Sequence, residues 1–108
     1  MRLSLIVAIL FVFSVGTLPG QPRRGTLAGT VTDARGRPLK GASVQLENLL
    51  TLQIRSSITN KSGRYHFQGL RSDTDYKLKA NYHGAWSSEE YLSRFDAKRQ
   101  TTKNLEIK

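Results

Sequence analysis

Two histidines, His66 and His83, are the residues of this 108-residue chain best suited to moving a proton near neutral pH. Nucleophilic catalysis would require one of them within hydrogen-bond reach of a serine or threonine. Both fall instead at outward positions of alternating segments, where a histidine is ordinarily surface. A zinc site needs three or four ligands with local pairing. Two separated histidines and no cysteine do not supply them. Paired carboxylates could serve glycoside hydrolysis, and Asp73 with Asp75 and Glu89 with Glu90 are the candidates. Asp73-Thr74-Asp75 lies in a polar loop beside Ser72, where such side chains ordinarily bond nearby backbone. Neighbouring glutamates on a strand take opposite faces and cannot converge. The sequence holds neither an Asp-x-Asp-x-Asp-Gly calcium loop nor a phosphate-cradling glycine loop. The expected protein is not an enzyme, and no cofactor or metal is expected.

Binding is the remaining chemistry. Trp86, the single tryptophan, stands beside Ser87-Ser88, with Tyr82 and Tyr91 near in sequence. An exposed aromatic platform next to hydroxyls can stack on sugar rings, so Trp86, Tyr82 and Tyr91 are the candidate ligand contacts. The ordinary alternative is that Trp86 caps one end of a small core. Nucleic-acid binding would need an array of exposed aromatics in a basic groove; Tyr65, Phe67 and Tyr76 read as buried, and no nucleic acid is expected.

The elements that must position these residues follow a period of two, and no stretch sustains a helical period. Thr26 to Asp33 forms a first strand with Leu27, Gly29 and Val31 on one face. Asp33-Ala34-Arg35-Gly36 is a turn in which Asp bonds ahead to backbone and Gly accepts a left-handed conformation. Ala42 to Glu47 turns Ala42, Val44 and Leu46 to the core. Leu52 to Thr59 puts Leu52, Ile54 and Ile58 on one face. Asn60-Lys61-Ser62-Gly63 repeats the first turn with Asn in the Asp role. Arg64 to Gln68 points Tyr65 and Phe67 inward, and Tyr76 to His83 alternates Tyr76, Leu78, Ala80 and Tyr82 with polar partners. Ser87 to Leu92 gives a sixth strand. Thr101 to Ile107 gives a seventh, burying Leu105 and Ile107 and placing Lys103 inward near a sheet edge. Seven short strands with turn signals every 8–12 residues predict an all-β, seven-stranded antiparallel β-sandwich. Closure into a small barrel is the alternative.

Charge and the first residues set the compartment. Met1-Arg2, the apolar run Leu3 to Val15 and the small residues Gly16 and Gly20 have the layout of a secretory signal peptide, and the run is shorter than the roughly 20 residues a membrane span needs. Cleavage after Gly16 or after Gly20 fits equally. The expected organisation is a signal over residues 1–20, a short leader over 21–25 and one domain over 26–108, secreted or periplasmic and without a membrane span. Removing residues 1–20 takes away one arginine and leaves 16 basic against 8 acidic side chains. Such a chain is drawn to polyanions, so anionic polymers, envelope polysaccharide or a protein partner are the expected contacts.

Several of these strings are specific in combination. Gly29-Thr30-Val31-Thr32-Asp33 and Gly36-Arg37-Pro38-Leu39-Lys40-Gly41-Ala42-Ser43-Val44 resemble the opening of carboxypeptidase regulatory-like domains. Thr59 to Leu70, followed by Tyr76-Lys77-Leu78, is similar to the middle of the same family. Leu92 to Asp96 and Asn104 to Ile107 resemble the tail of its short stand-alone secreted bacterial members. The resemblance implies a transthyretin-like (prealbumin-like) Greek-key sandwich that serves as an accessory beside peptidases, outer-membrane receptors and surface proteins, without activity of its own. Two positions depart from the family: Asn60 stands where Asp is usual, and Lys103 where an apolar residue is usual.

Overall fold

The computed structural model describes residues 25–96 and 100–108. The expected signal over 1–20 and residues 21–24 of the expected leader lie outside the described residues. Nine short strands follow in order among the described residues: β1 (Gly25–Thr32), β2 (Ser43–Asn48), β3 (Ile54–Ile58), β4 (Arg64–Leu70), β5 (Tyr76–Tyr82), β6 (Ala85–Trp86), β7 (Glu90–Leu92), β8 (Gln100–Thr102) and β9 (Leu105–Glu106). One sheet runs β4-β1-β8, with β9 also on β1. The other runs β3-β2-β5-β6, with β7 also on β5. The expected sixth strand is thus the pair β6 and β7, and the expected seventh is the pair β8 and β9, so seven strand positions make the sandwich. β1 begins one residue earlier than expected, at Gly25 opposite Leu70.

Alternation builds the core. β1 and β5 switch between buried and half-buried residues along most of their length, because successive side chains on a strand take opposite faces. The inward sets meet in one cluster, in which Leu27, Val31, Val44, Leu46, Leu70, Leu78 and Leu92 are fully enclosed and Tyr65, Phe67 and Tyr76 lie beside them. Each such leucine contributes about 1.5–3 kcal/mol on burial. The β1–β4, β2–β3 and β2–β5 pairs are antiparallel. β8 and β9 instead run parallel to β1, a pairing the expected all-antiparallel scheme did not contain. The chain reaches it after crossing through the other sheet, which is the kind of long connection parallel neighbours require.

One expected strand is corrected at its start, and two are split in the middle. β3 starts at Ile54 and not at Leu52, because Leu52 holds a left-handed φ of 66° and donates its N–H to the Asn48 carbonyl at 2.7 Å. β6 and β7 are separated where the Ser87 hydroxyl accepts from the Ala80 N–H at 2.9 Å. β8 and β9 are separated at Asn104, whose side-chain oxygen accepts from the Thr30 N–H at 3.1 Å in place of a backbone partner. Lys103, expected inward, is half-buried at that break, and its carbonyl accepts the Tyr65 hydroxyl.

The two turns use one chemistry. Asp33 Oδ1 accepts from the Arg35 and Arg37 N–H groups at 2.9 and 3.0 Å. Asn60 Oδ1 accepts from those of Ser62 and Arg64 at the same distances. Gly36 and Gly63 close them at φ 80° and 73°. In each turn the backbone bonds use one side-chain oxygen, so Asn60 performs the role of Asp33; the second Asp33 oxygen accepts instead from the Arg37 guanidinium at 2.9 Å.

Candidate functional site

The outer face of the five-stranded sheet gathers the aromatic candidates. Directly opposed residues of an antiparallel pair share a face, and β2 and β5 turn Val44, Leu46, Leu78 and Ala80 inward. The outer face therefore carries Ser43, Gln45 and Glu47 of β2 and Lys77, Lys79 and Asn81 of β5. Trp86 lies opposite Asn81 and Tyr91 opposite Lys77, so both rings belong to this face. They are four β5 residues apart, about 13 Å along the strand.

Both rings are held by charge. Lys79 places its ammonium 4.4 Å from the centre of the Trp86 ring, a cation–π contact. Lys77 bridges Glu47 at 3.4 Å and Glu89 at 3.7 Å, and the Tyr91 hydroxyl donates to Glu89 at 3.2 Å. The hydrogen bond to Glu47, and next the charge of Glu89, raise the Lys77 ammonium above its ordinary pKa. Trp86 remains 44% and Tyr91 57% exposed. Such a face offers two fixed aromatic surfaces with a cation between them, suited to stacking and to anionic or hydroxyl-bearing ligands.

Tyr82 does not join them. It lies opposite Ala85 on the inner side of β5, half-buried against the core. Trp86 is exposed and does not cap the core. His66 is exposed on β4 in the other sheet. His83, expected on the strand, sits beyond β5 in the turn to β6 with φ 50°, its ring 4.2 Å from that of Tyr82 in an edge-on contact.

The carboxylates are committed elsewhere. Asp73 accepts two bonds from the Arg71 guanidinium at 3.0 and 3.2 Å, and that side-chain bond lowers its pKa. Asp75 accepts the Arg94 N–H at 2.7 Å. Glu90 lies opposite Leu78, while Glu89 reaches Lys77. Among the described residues, no group of three or more His, Asp or Glu stands where it could hold a metal ion. Among the same residues, no helix is long and apolar enough to cross a membrane.

Sequence reasoning missed two features. One is the Lys79–Trp86 contact, which the parity of β5 and a tight β5–β6 turn could have suggested. The other is β3, whose Ile54 and Ile58 lie on this outer face, 57% and 62% exposed.

No curated protein matches the sequence. Among solved structures, a DUF3823 family protein from Parabacteroides merdae is similar at 18% identity and a TM-score of 0.59, over 81% of this chain and 47% of that one. Catechol 1,2-dioxygenase from Acinetobacter is similar at 13% identity and a TM-score of 0.59, over 82% of this chain and 53% of that one. BcpA, the major pilin subunit of Bacillus cereus, is similar at 15% identity and a TM-score of 0.56, over 80% of this chain and 30% of that one. The chain thus spans about half or less of these proteins, and at such identities the likeness is one of fold. The model of the carboxypeptidase regulatory-like domain matches residues 26–108, which covers nearly the whole described chain. The chain belongs to the carboxypeptidase regulatory-like domain family.

Proposed function

We propose that this protein is a non-catalytic, secreted β-sandwich module, an interaction or structural accessory of the cell envelope. The observation that carries the reading is the outer face of the five-stranded sheet, where Trp86 and Tyr91 both stand exposed on strands paired with β5. The potential acids, bases and nucleophiles are by contrast dispersed over both sheets and several of the loops between strands. The family is a regulatory-like one, and a pilin subunit shares the fold, which accords with an accessory role outside the cytoplasm. The apolar run of residues 3–15 supports export.

A second reading is carbohydrate binding through Trp86 and Tyr91. Two aromatic surfaces about 13 Å apart on one sheet face can stack on separate residues of one polysaccharide chain, and Lys79 favours an anionic one. Pull-down of the purified protein on isolated cell-wall polysaccharide tests both readings. Saturable binding that Trp86→Ala and Tyr91→Ala each weaken establishes the second. Capture of envelope proteins without polysaccharide binding leaves the first, and hydrolytic activity that survives repurification would overturn both.

A further inference from the structure

The two strand edges on one side of the sandwich are treated in opposite ways. β4 is the edge of its sheet, and β3 closes off its exposed backbone. The Arg55 guanidinium donates to the Gln68 carbonyl at 2.7 Å and lies 5.5 Å from the centre of the Phe67 ring. The Ser57 hydroxyl accepts from the His66 N–H at 3.4 Å. β3 is itself an edge, and it has no such cover among the described residues. The Gln53 carbonyl accepts from Asn48 at the end of β2, and the Thr59 N–H donates to Ala42 just before its start. By alternation, Arg55 and Ser57 bond to β2, while Ile54, Ser56 and Ile58 direct their backbone groups outward. Natural edges are usually blunted by lysine, proline, a bulge or an inward charge that faces the approaching strand. Here the one charge of β3, Arg55, is folded under toward β4. The outward side chains are Ile54, Ser56 and Ile58, all exposed.

We propose that β3 pairs with β3 of a second copy of this chain, antiparallel about a two-fold axis at Ser56, joining the two five-stranded sheets into one. Two features select a second copy as the occupant. The strand is self-complementary in this register: Ile54 faces Ile58 of the second copy, the reverse pair forms on the other side of the axis, and Arg55 faces Ser57 of the second copy. An axis at Arg55 would set arginine against arginine, which is destabilising across a strand pair. An axis at Ser57 would pair no isoleucine with isoleucine. The second feature is charge. On a chain of net charge +9, the outward side chains of β3 and the adjoining Ser43 and Gln45 are uncharged, and Glu47 opposite Ile54 is already paired with Lys77, so two copies meet without cation facing cation. The pairing is narrower than the roughly 1,200–2,000 Å² of stable complexes, so the dimer is reversible and depends on concentration.

Sedimentation of the purified protein from micromolar to millimolar concentration should show a monomer–dimer equilibrium. Ile58→Lys removes both isoleucine pairs from a residue already exposed in the monomer. It should weaken the dimer roughly tenfold or more while circular dichroism stays that of the wild type. The chain has no cysteine, so a single introduced thiol reports its own neighbour. Ser56→Cys should cross-link under mild oxidation much faster than Arg35→Cys in the exposed β1–β2 turn, because residue 56 meets its own copy at the axis. A wild type that stays monomeric at millimolar concentration overturns the proposal. So does a dimer indifferent to Ile58→Lys, or Ser56→Cys cross-linking no faster than Arg35→Cys.

Discussion

Gly29 sits in the middle of β1, where a side chain would have no room. A Cβ there would land on the Lys103 carbonyl oxygen and press on the Tyr65 ring. Backbone would have to move, so Gly29→Ala should cost at least about 2 kcal/mol in a urea melt, chiefly by prising β8 and β9 from β1. Tyr65 is the second fixed point of the same contact, donating its hydroxyl to Lys103. Burial, and next the charge of Glu90, hold its phenol well above the ordinary value of 10.0. A raised pKa means that the stability Tyr65 contributes is intact below pH 10.0 and is lost as pH rises toward the folded-state value. Tyr65→Phe should therefore cost about 0.5–1.5 kcal/mol at neutral pH. The stability curves of mutant and wild type should then converge above about pH 10, where the wild type begins to lose the Tyr65 contribution. An offset that stays constant through that range contradicts the assignment. Nothing in the sequence signalled either point, since a glycine and a tyrosine at inward positions read only as core.

The two glycine turns separate what a strand connection needs from what it merely tolerates. Gly36 has open space around its missing Cβ, so a substitution there meets only the left-handed backbone. At Gly63 a Cβ would also approach the Val31 carbonyl oxygen to 2.8 Å and the Leu39 nitrogen to 3.0 Å. Gly36→Ala should cost about 1 kcal/mol, and Gly63→Ala clearly more, because the clash is with backbone; equal losses by thermal melting would refute the distinction. The turns also differ toward acid. Arg37 and Arg35 donate backbone hydrogen bonds to the Asp33 carboxylate, the first being the larger effect, and they lower its pKa from 3.8. Its contribution is present above that value and is lost as pH falls through the folded-state pKa. Asp33→Asn should keep the turn, as Asn60 does, and remove that part of the acid sensitivity in melts taken between neutral and strongly acidic pH. At this scale β1, β2, β4 and β5 were legible to within about two residues, because apolar and polar side chains alternate cleanly along them. β3 was legible as a strand but not as an edge. Its apolar parity faces solvent, and its polar parity, Arg55 and Ser57, turns under to cover β4. The breaks at Ser87 and Asn104 were not legible, since a side chain substituting for backbone leaves no mark on periodicity.

Across the whole molecule, the architecture was readable, and the grouping of the candidate contact residues only in part. Trp86 and Tyr91 share the outer face, but Tyr82 belongs to the core side. Alternation within β5 already separates Tyr82 from that face, whereas the position of Trp86 depends on which way the β5–β6 turn folds back. The same alternation makes a comparison of Phe67 with Lys77 a test of the entire sandwich. Phe67 is 3% exposed, within a cluster fed by both sheets; Lys77 lies on the outer face between Glu47 and Glu89. A domain of this size without disulfides encloses a limited fraction of its surface, so its stability falls near the low end of about 5–15 kcal/mol. Phe67→Ala should remove about 3–5 kcal/mol of it through lost burial and the cavity left behind, and should also free Arg55 from the ring beneath it. The mutant should be barely folded at room temperature, with its urea midpoint close to zero. Lys77→Ala breaks two solvent-screened ion pairs and opens no cavity, so its urea midpoint should shift by a small fraction of that amount, and less still in high salt. Comparable losses in the two mutants, or a larger one at Lys77, would mean that the inner and outer faces are reversed. The platform of Trp86 and Tyr91 and the outward isoleucines of β3 would then fall with the sandwich itself.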